Sequence, residues 1–450
     1  MKLNLFGLFL ILTSGLTAQV DFSGSVNLEG YSSSKEELPF WFYSNQQGRV
    51  SEETNIDGWI NGKLNFNISE NTSLEFGGGM FYQDAFEDVI FVDELYVDFQ
   101  YKWFQIIAGR KQEPEVYNGL SATNENILWS LNARPMPGLQ LKTNGPIYLE
   151  PHEKFAFEAS WNEYLLGSDR YVKNVRLHHK SLYIIYHSLK GWMFKAGIKH
   201  FVQWGGESPE LGQQPKRFSD YLRIISGSEG DVGANQGDIN NALGNHLGSW
   251  ELYVSKDYRD YTLSLIFNNL FEDGSGSRFA NFPDGRYGIN IEANNKNKIV
   301  NSVLYEFYYT KNQSNNVNRW GADNYLSHKL VYNSGWTYKE RIIGAPFFTY
   351  NSEINQIINN KFIAHHLGIS GQFSSYFHTF PYKILLSYAH NEGTYRSPLN
   401  LEGLNEDVLN FYSKWRVLNL PIQADLKLGF EFNSIKEPIF GAGISLSKQF

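Results

Sequence analysis

"ADLKLGFEFNSIKEPIFGAGISLSKQF", Ala424 to Phe450, is the stretch that decides the fold. From Ala424 to Phe432 every even position is apolar and every odd position is polar or glycine. A turn follows at Asn433 to Pro438. Phe440, Ala442, Ile444, Leu446 and Phe450 then share one face, broken only by Lys448, while Gly441, Gly443, Ser445, Ser447 and Gln449 share the other. Successive residues of a strand point to opposite faces, so the pattern spells a β-hairpin with one greasy and one wet side. Asp425, Lys427 and Glu431 on the wet side suit a water-filled lumen, where a charge at Gly429 is expected to be tolerated if space allows.

The alternation recurs upstream. Leu64, Phe66 and Ile68 alternate with Lys63, Asn65 and Asn67; Leu95, Val97, Phe99 and Tyr101 alternate with Glu94, Tyr96, Asp98 and Gln100. Trp192, Phe194, Ala196, Ile198 and His200 alternate with Met193, Lys195, Gly197 and Lys199, and Tyr261, Leu263, Leu265 and Phe267 continue the series. Many of these segments end in Trp or Tyr, as aromatic girdles at two bilayer interfaces require. Composition agrees. Aromatic residues make up 16 % of the chain, yet the mean hydropathy is only −0.39. In a membrane barrel, lipid-facing and lumen-facing residues cancel in this average. No stretch beyond the leader is apolar for the roughly 18 residues a spanning helix needs. At about two dozen residues per strand with its connections, the sequence predicts an all-β chain: a closed antiparallel transmembrane β-barrel of about 16–18 strands, with folded loops or a plug. An aromatic Phe450 fits the last strand of an outer-membrane barrel.

The first residues indicate the compartment. Lys2, the apolar run Leu5 to Leu16 and then Thr17-Ala18-Gln19 read as a signal peptide over 1–18. Residues 19–450 are expected to form a single barrel domain, with 19–56 an N-terminal segment or plug ahead of a first strand near Asp57. The chain has no cysteine, so a barrel of this kind must hold together without disulfides. A net charge of −8 argues against nucleic acid as a partner. The expected setting is the outer membrane of a Gram-negative cell, with outer-membrane lipid and the barrel-insertion machinery as partners and the protein acting as a monomer.

Three stretches break the alternation and read as loops: Gly205 to Gly248, Phe271 to Gly288 and Lys311 to Leu330. In the first, Pro215 opens a short helical pattern in which Phe218, Tyr221, Leu222 and Ile225 share a face. Enzymatic signatures are absent: there is no G-x-S-x-G, no phosphate-binding loop, no H-E-x-x-H and no cysteine nucleophile. His178-His179 and His365-His366 resemble metal pairs, but strand neighbours face opposite ways, so neither pair chelates as a unit. No metal and no cofactor are implied. Glu94 and Asp98 share a lumen face and are expected to meet Lys111 or Arg110. Arg134, at the head of the Pro-fixed turn Arg134-Pro-Met-Pro137, is expected to pair with a lumen acid.

Four stretches carry a family likeness: Pro39-Phe-Trp-Phe-Tyr-Ser-Asn-Gln-Gln-Gly48, Ala133-Arg-Pro-Met-Pro137, Gly244-Asn-His-Leu-Gly-Ser249, and Gly335-Trp-Thr-Tyr338 with Ile343-Gly-Ala-Pro346. In their order and number the chain resembles the outer-membrane capsule assembly proteins, the Wzi-like family, in a divergent branch. The resemblance implies a barrel of about eighteen strands that binds capsular or surface polysaccharide and helps assemble or anchor the capsule, without being an enzyme. Competing readings are a porin or uptake channel for small polar solutes and a barrel hydrolase. Rings stack on sugar faces, and amides and charged groups bond hydroxyls. The candidate glycan contacts are therefore Trp204, Arg217 and Tyr221 around the first loop, Asn245, His246 and Trp250 at its end, Phe282, Asp284 and Arg286 in the second, and Trp320, Asp323 and Tyr325 in the third. For Trp204 the alternative is a girdle tryptophan that anchors the barrel.

Overall fold

The computed structural model describes residues 19–85, 90–150, 153–231, 233–235, 238–239, 242–314, 322–328, 331–375, 378–397 and 405–450. The signal peptide expected at 1–18 and the candidate Trp320 lie outside these residues.

Eighteen antiparallel strands close into a barrel. They are β1 (Gln19–Ser33), β2 (Ile56–Ser69), β3 (Thr72–Gln83), β4 (Ile90–Tyr101), β5 (Phe104–Arg110), β6 (Gly138–Thr143, resuming at Ile147–Tyr148), β7 (Phe155–Leu165), β8 (Arg176–His187) and β9 (Trp192–Trp204). The circuit continues with β10 (Asn245–Asp257), β11 (Tyr261–Phe271), β12 (Gly285–Ala293), β13 (Ser302–Tyr309), β14 (Phe362–Ser374), β15 (Thr379–Asn391), β16 (Glu406–Asn419), β17 (Gln423–Asn433) and β18 (Ile439–Gln449). Strand β18 returns to β1, with Leu28 opposite Leu446 and Ser33 opposite Gly441. Closure satisfies every edge, as a strand in lipid must be satisfied.

The last hairpin behaves as its alternation dictates. Leu428, Phe432, Phe440, Ile444 and Leu446 are exposed on the outer wall, and Asp425, Lys427 and Ser445 are buried inside. Short turns alternate with long connections around the barrel, and the short turns share an end with both chain termini. By the usual arrangement of such barrels the short turns are periplasmic and the long connections extracellular.

Residues 19–33 depart from the expected pre-strand segment. They form β1 itself, paired with β2 from Gln19↔Asn67 to Gly30↔Ile56. The signal for this strand is the alternation of Val20, Phe22, Val26 and Leu28, all exposed on the outer wall. The aromatic run Phe40 to Tyr43 therefore follows the first strand. It forms a one-turn helix, α1 (Phe40–Tyr43), that turns inward from the extracellular end.

Three long connections meet inside the barrel and form a plug. Backbone bonds join them: Gln47 N–H to Leu131 O (2.7 Å), Ser130 N–H to Ile343 O (2.8 Å) and Ala345 N–H to Ile127 O (2.8 Å). The indole of Trp336 donates to Leu128 O at 2.7 Å. Trp41, Phe42, Leu120, Ile127, Leu128, Trp336 and Phe348 pack there as one buried core with wall residues such as Leu304 and Tyr412. The plug is anchored to the wall by an ion pair with no exposure: Arg286 of β12 meets Glu306 of β13 at 2.6 Å, and Glu306 accepts from Ser121 Oγ (2.7 Å) and Ala122 N–H (2.9 Å). Arg134, expected to pair with a lumen acid, packs on two rings of the wall. Its guanidinium lies over the rings of Phe81 (4.7 Å) and Phe91 (4.4 Å), and its Nε donates to Gly48 O. A delocalised, weakly hydrated guanidinium packs well on ring faces. Asp98 does meet Lys111, at 2.7 Å.

The helical pattern after Pro215 is helix α2 (Phe218–Ser226). It lies against the outside of the barrel. His200, Val202 and Trp204 have the same parity as lipid-facing Phe194, yet Val202 and Trp204 are buried, packed against Ile224, Leu243, Tyr221 and Ile225.

Candidate functional site

At the extracellular mouth, the plug and the inner wall of β15 to β17 enclose a cleft of about 200 Å³. Phe347 and Phe348 make its buried floor, and half-buried Phe40, Tyr43 and Tyr350 stand around it. Phe40 stacks on Phe347 with centroids 5.9 Å apart and meets Tyr43 edge-on. The facing wall is polar. Asn391 Nδ2 donates to Glu406 at 2.9 Å, Asn433 Nδ2 donates to the same carboxylate at 2.7 Å, and Glu431 accepts from the Phe40 N–H at 3.2 Å. Arg341 lies over the Tyr43 ring at 5.1 Å and pairs with Glu52. Asn410 is buried in this wall, and its Oδ1 has no hydrogen-bond partner among the described residues.

The family profile described as capsule assembly protein Wzi matches residues 36–367. The chain belongs to the Wzi capsule assembly family. Among solved structures it is similar to the Escherichia coli outer-membrane protein Wzi, which is described as involved in group 1 capsule assembly and as a carbohydrate-binding β-barrel. That alignment has a TM-score of 0.61 at 12 % identity, over 94 % of this chain and 83 % of the other. It also aligns with OccAB4 of Acinetobacter baumannii, at a TM-score of 0.50 and 7 % identity, over 96 % of this chain and 99 % of the other. At such identities the likeness is one of fold. Comparison with curated proteins gives no match. The Wzi-family barrel is an outer-membrane one. Of the stretches that carry the family likeness, 39–48, 133–137, 335–338 and 343–346 all lie in the plug segments of this Wzi-family chain.

The residues singled out by composition do not form one site. Trp204, Tyr221, His246 and Trp250 sit on the outer wall. Tyr221 OH donates to Glu163 (2.5 Å) and accepts from the Trp161 indole (3.0 Å); His246 Nδ1 lies 3.0 Å from His200 Nε2; the Trp250 indole donates to Ser277 O. Arg217 is exposed at the start of α2. Asn245 faces inward and donates to Gln203 Oε1. Arg286 belongs to the buried ion pair. Asp284 and Tyr325 bond each other at 2.7 Å, and Asp284 also accepts from the N–H groups of Asn312 (2.8 Å) and Gln313 (2.6 Å), which ties the second loop to the third. Asp323 accepts from Ser314 Oγ at 3.0 Å. Phe282 is 58 % exposed beside that loop pair. Burial raises the Asp284 carboxyl to about 6 and the Asp323 carboxyl to about 7, against hydrogen bonds that pull the other way. The histidine pairs point to opposite sides: His179 stacks inward on Phe201 at 4.4 Å, whereas His178 lies outside with Nδ1 2.6 Å from Glu163.

The residues of the cleft were not among the composition candidates. Their sequence signal was the run Phe40 to Gln47, rings followed at once by amides. Tyr350, Asn391 and Asn410 join it only because the plug folds back against β15 to β17.

Proposed function

We propose that the protein binds surface polysaccharide in the cleft between plug and wall at the extracellular mouth, and so helps hold or organise a capsule. The observation that carries this reading is the pairing of the rings of Phe40, Tyr43 and Tyr350 with the amides and carboxylates of Asn391, Asn410, Asn433 and Glu406. Rings cover the apolar faces of a sugar, and the amides and carboxylates beside them meet its hydroxyls. The carbohydrate binding described for the similar E. coli barrel supports the reading. The role is one of binding without catalysis. Several acids of the lumen are engaged by cations: Asp98 with Lys111, Asp425 with Lys414, Glu392 with Lys361. The protein acts as a monomer, and the plug core across the lumen speaks against steady conduction by a porin.

The test compares Tyr43→Ala, Tyr350→Ala and Asn410→Ala for surface polysaccharide retained per folded barrel. Loss of one stacking ring should weaken binding by roughly 1–3 kcal/mol, by analogy with stacking on nucleic-acid bases. Full retention by a correctly folded Tyr43→Ala, Tyr350→Ala double variant would remove the cleft from the site. A large steady single-channel current through the wild type would favour the porin instead.

A further inference from the structure

The outer wall carries a second feature, unrelated to the glycan cleft. Five cross-strand neighbours lie in one line on the lipid-facing side: Ile198 opposite Leu182, Leu182 opposite Ala159, Ala159 beside Thr143, and Thr143 opposite Phe104. The small side chains of Ala159 and Thr143 make the middle of this line a trough. Larger ones, Trp161 and Phe157 among them, stand along its edges, and the cavity measures about 690 Å³. Five strands span about 19 Å at a spacing of ~4.8 Å, the reach of one extended fatty-acyl chain. The trough ends at the C-terminal turn of α2, beside Ile225 and Lys180.

At the other end of α2, toward the extracellular rim, a second hollow of about 720 Å³ opens on the same outer wall. Arg176, Lys216 and Arg217 line it beside Leu139, Leu165 and Phe218. None of the three cations makes an ion pair among the described residues. The Arg176 guanidinium rests on the Trp204 ring at 5.0 Å, and Lys216 donates only to Gln213 Oε1. The one carboxylate in the hollow, Glu163, is already taken by Tyr221 and His178. Phe218 (74 % exposed) and Leu222 (53 % exposed) project from α2. The order from rim to bilayer is cations, apolar helix face, apolar trough.

We infer that this lateral face binds a phosphorylated lipid of the outer leaflet that carries several acyl chains, with a headgroup phosphate on Arg176, Lys216 and Arg217, and its acyl chains over α2 and in the trough. The charge sequence matches an amphiphile whose anionic group lies outermost. It also accounts for a helix that leaves the loops to fold down the barrel's outside, where it exposes Phe218 and Leu222. A solvent-facing helix would gain nothing from those two rows, whereas lipid contact stabilises both.

The experiment uses the full chain purified in detergent, with fluorescent hexa-acylated, bis-phosphorylated lipid A as the probe. Phosphate-free lipid A and phosphatidylglycerol are the comparison lipids. The wild type should bind the phosphorylated form saturably. An Arg176→Gln, Arg217→Gln double variant should weaken binding roughly tenfold or more, the worth of two cation–phosphate contacts at a membrane surface. Ala159→Trp, which fills the trough with an apolar ring, should weaken it too while leaving the heat-modifiable barrel intact. Undiminished binding by both folded variants, or equal binding of phosphatidylglycerol, would overturn the proposal. Glycan retention is measured separately and is expected to be unchanged in both variants.

Discussion

Phe42 of the plug helix and Gly429 of β17 touch with no space between them: a Cβ on Gly429 would stand 2.6 Å from Phe42 Cε2. Pro39 approaches Gly441 in the same way, at 2.7 Å. The glycines on the inner face of the last hairpin therefore receive the plug. A charge at Gly429 has no room, so the space on which its tolerance depended is taken by the plug.

Gly429→Val should accordingly overpack this contact and cost about 1–3 kcal/mol. The plug, held by fewer bonds than the wall, should give way first. Single-channel recordings should show new current from a barrel that still shifts on heating. A variant as silent as wild type would argue against the contact. Leu428→Lys, one residue away on the lipid side, should instead cost roughly 2–4 kcal/mol and lower membrane-embedded yield.

Glu306→Ala removes the partner of a guanidinium that has no exposure. Leaving that charge buried and unpaired costs about 3–5 kcal/mol, far more than the net worth of the pair. The exchange of plug amides near Ala122, which bonds Glu306, should rise most. Replacing both Glu306 and Arg286 by apolar residues of similar volume should recover much of the loss, and urea titration of the three variants checks the order.

The loop pairing at Asp284 should depend on pH. Its carboxyl is held at about 6 by burial, above its ordinary 3.8, so the folded loop binds more protons than the unfolded one between these values. Stability from this group is therefore full below about pH 4 and falls as pH rises to about 6, by roughly 2–3 kcal/mol at most. Once the intrinsic pH dependence of amide exchange is divided out, protection at Asn312 and Gln313, whose amides bond Asp284, should fall from pH 4 to pH 7. Asp284→Asn should flatten the profile, and an unchanged slope in that variant would assign it to another group.

Phe450 closes the seam of the barrel. Its N–H donates to Gly24 O at 3.0 Å, its carbonyl accepts from Gly24 N–H at 2.9 Å, and its ring lies 5.6 Å from Phe22. A chain ending at Gln449 should lose these contacts between first and last strands and give less heat-modifiable protein. Wild-type yield would mean that β1 and β18 close without it.

What the sequence determined by itself is the wall. Period-two alternation is a local property: each residue's parity fixes its face, whatever the rest of the chain does, so the barrel, its lipid side and the family segments are legible one strand at a time. Even β1 carries its signal, in Val20, Phe22, Val26 and Leu28. Only the tertiary structure decided what the connections do, because loops have no period and their contacts join distant residues. Composition marked Trp204 as a ring at the rim, yet α2 folds down outside the barrel and buries it. It marked Arg286 and Tyr325 as sugar contacts, yet burial commits them to Glu306 and Asp284. Tyr43 lies hundreds of residues before Tyr350 and Asn410, and the three become one cleft because the plug core, by packing Phe42 against the glycines of β17 and β18, draws them to the same mouth.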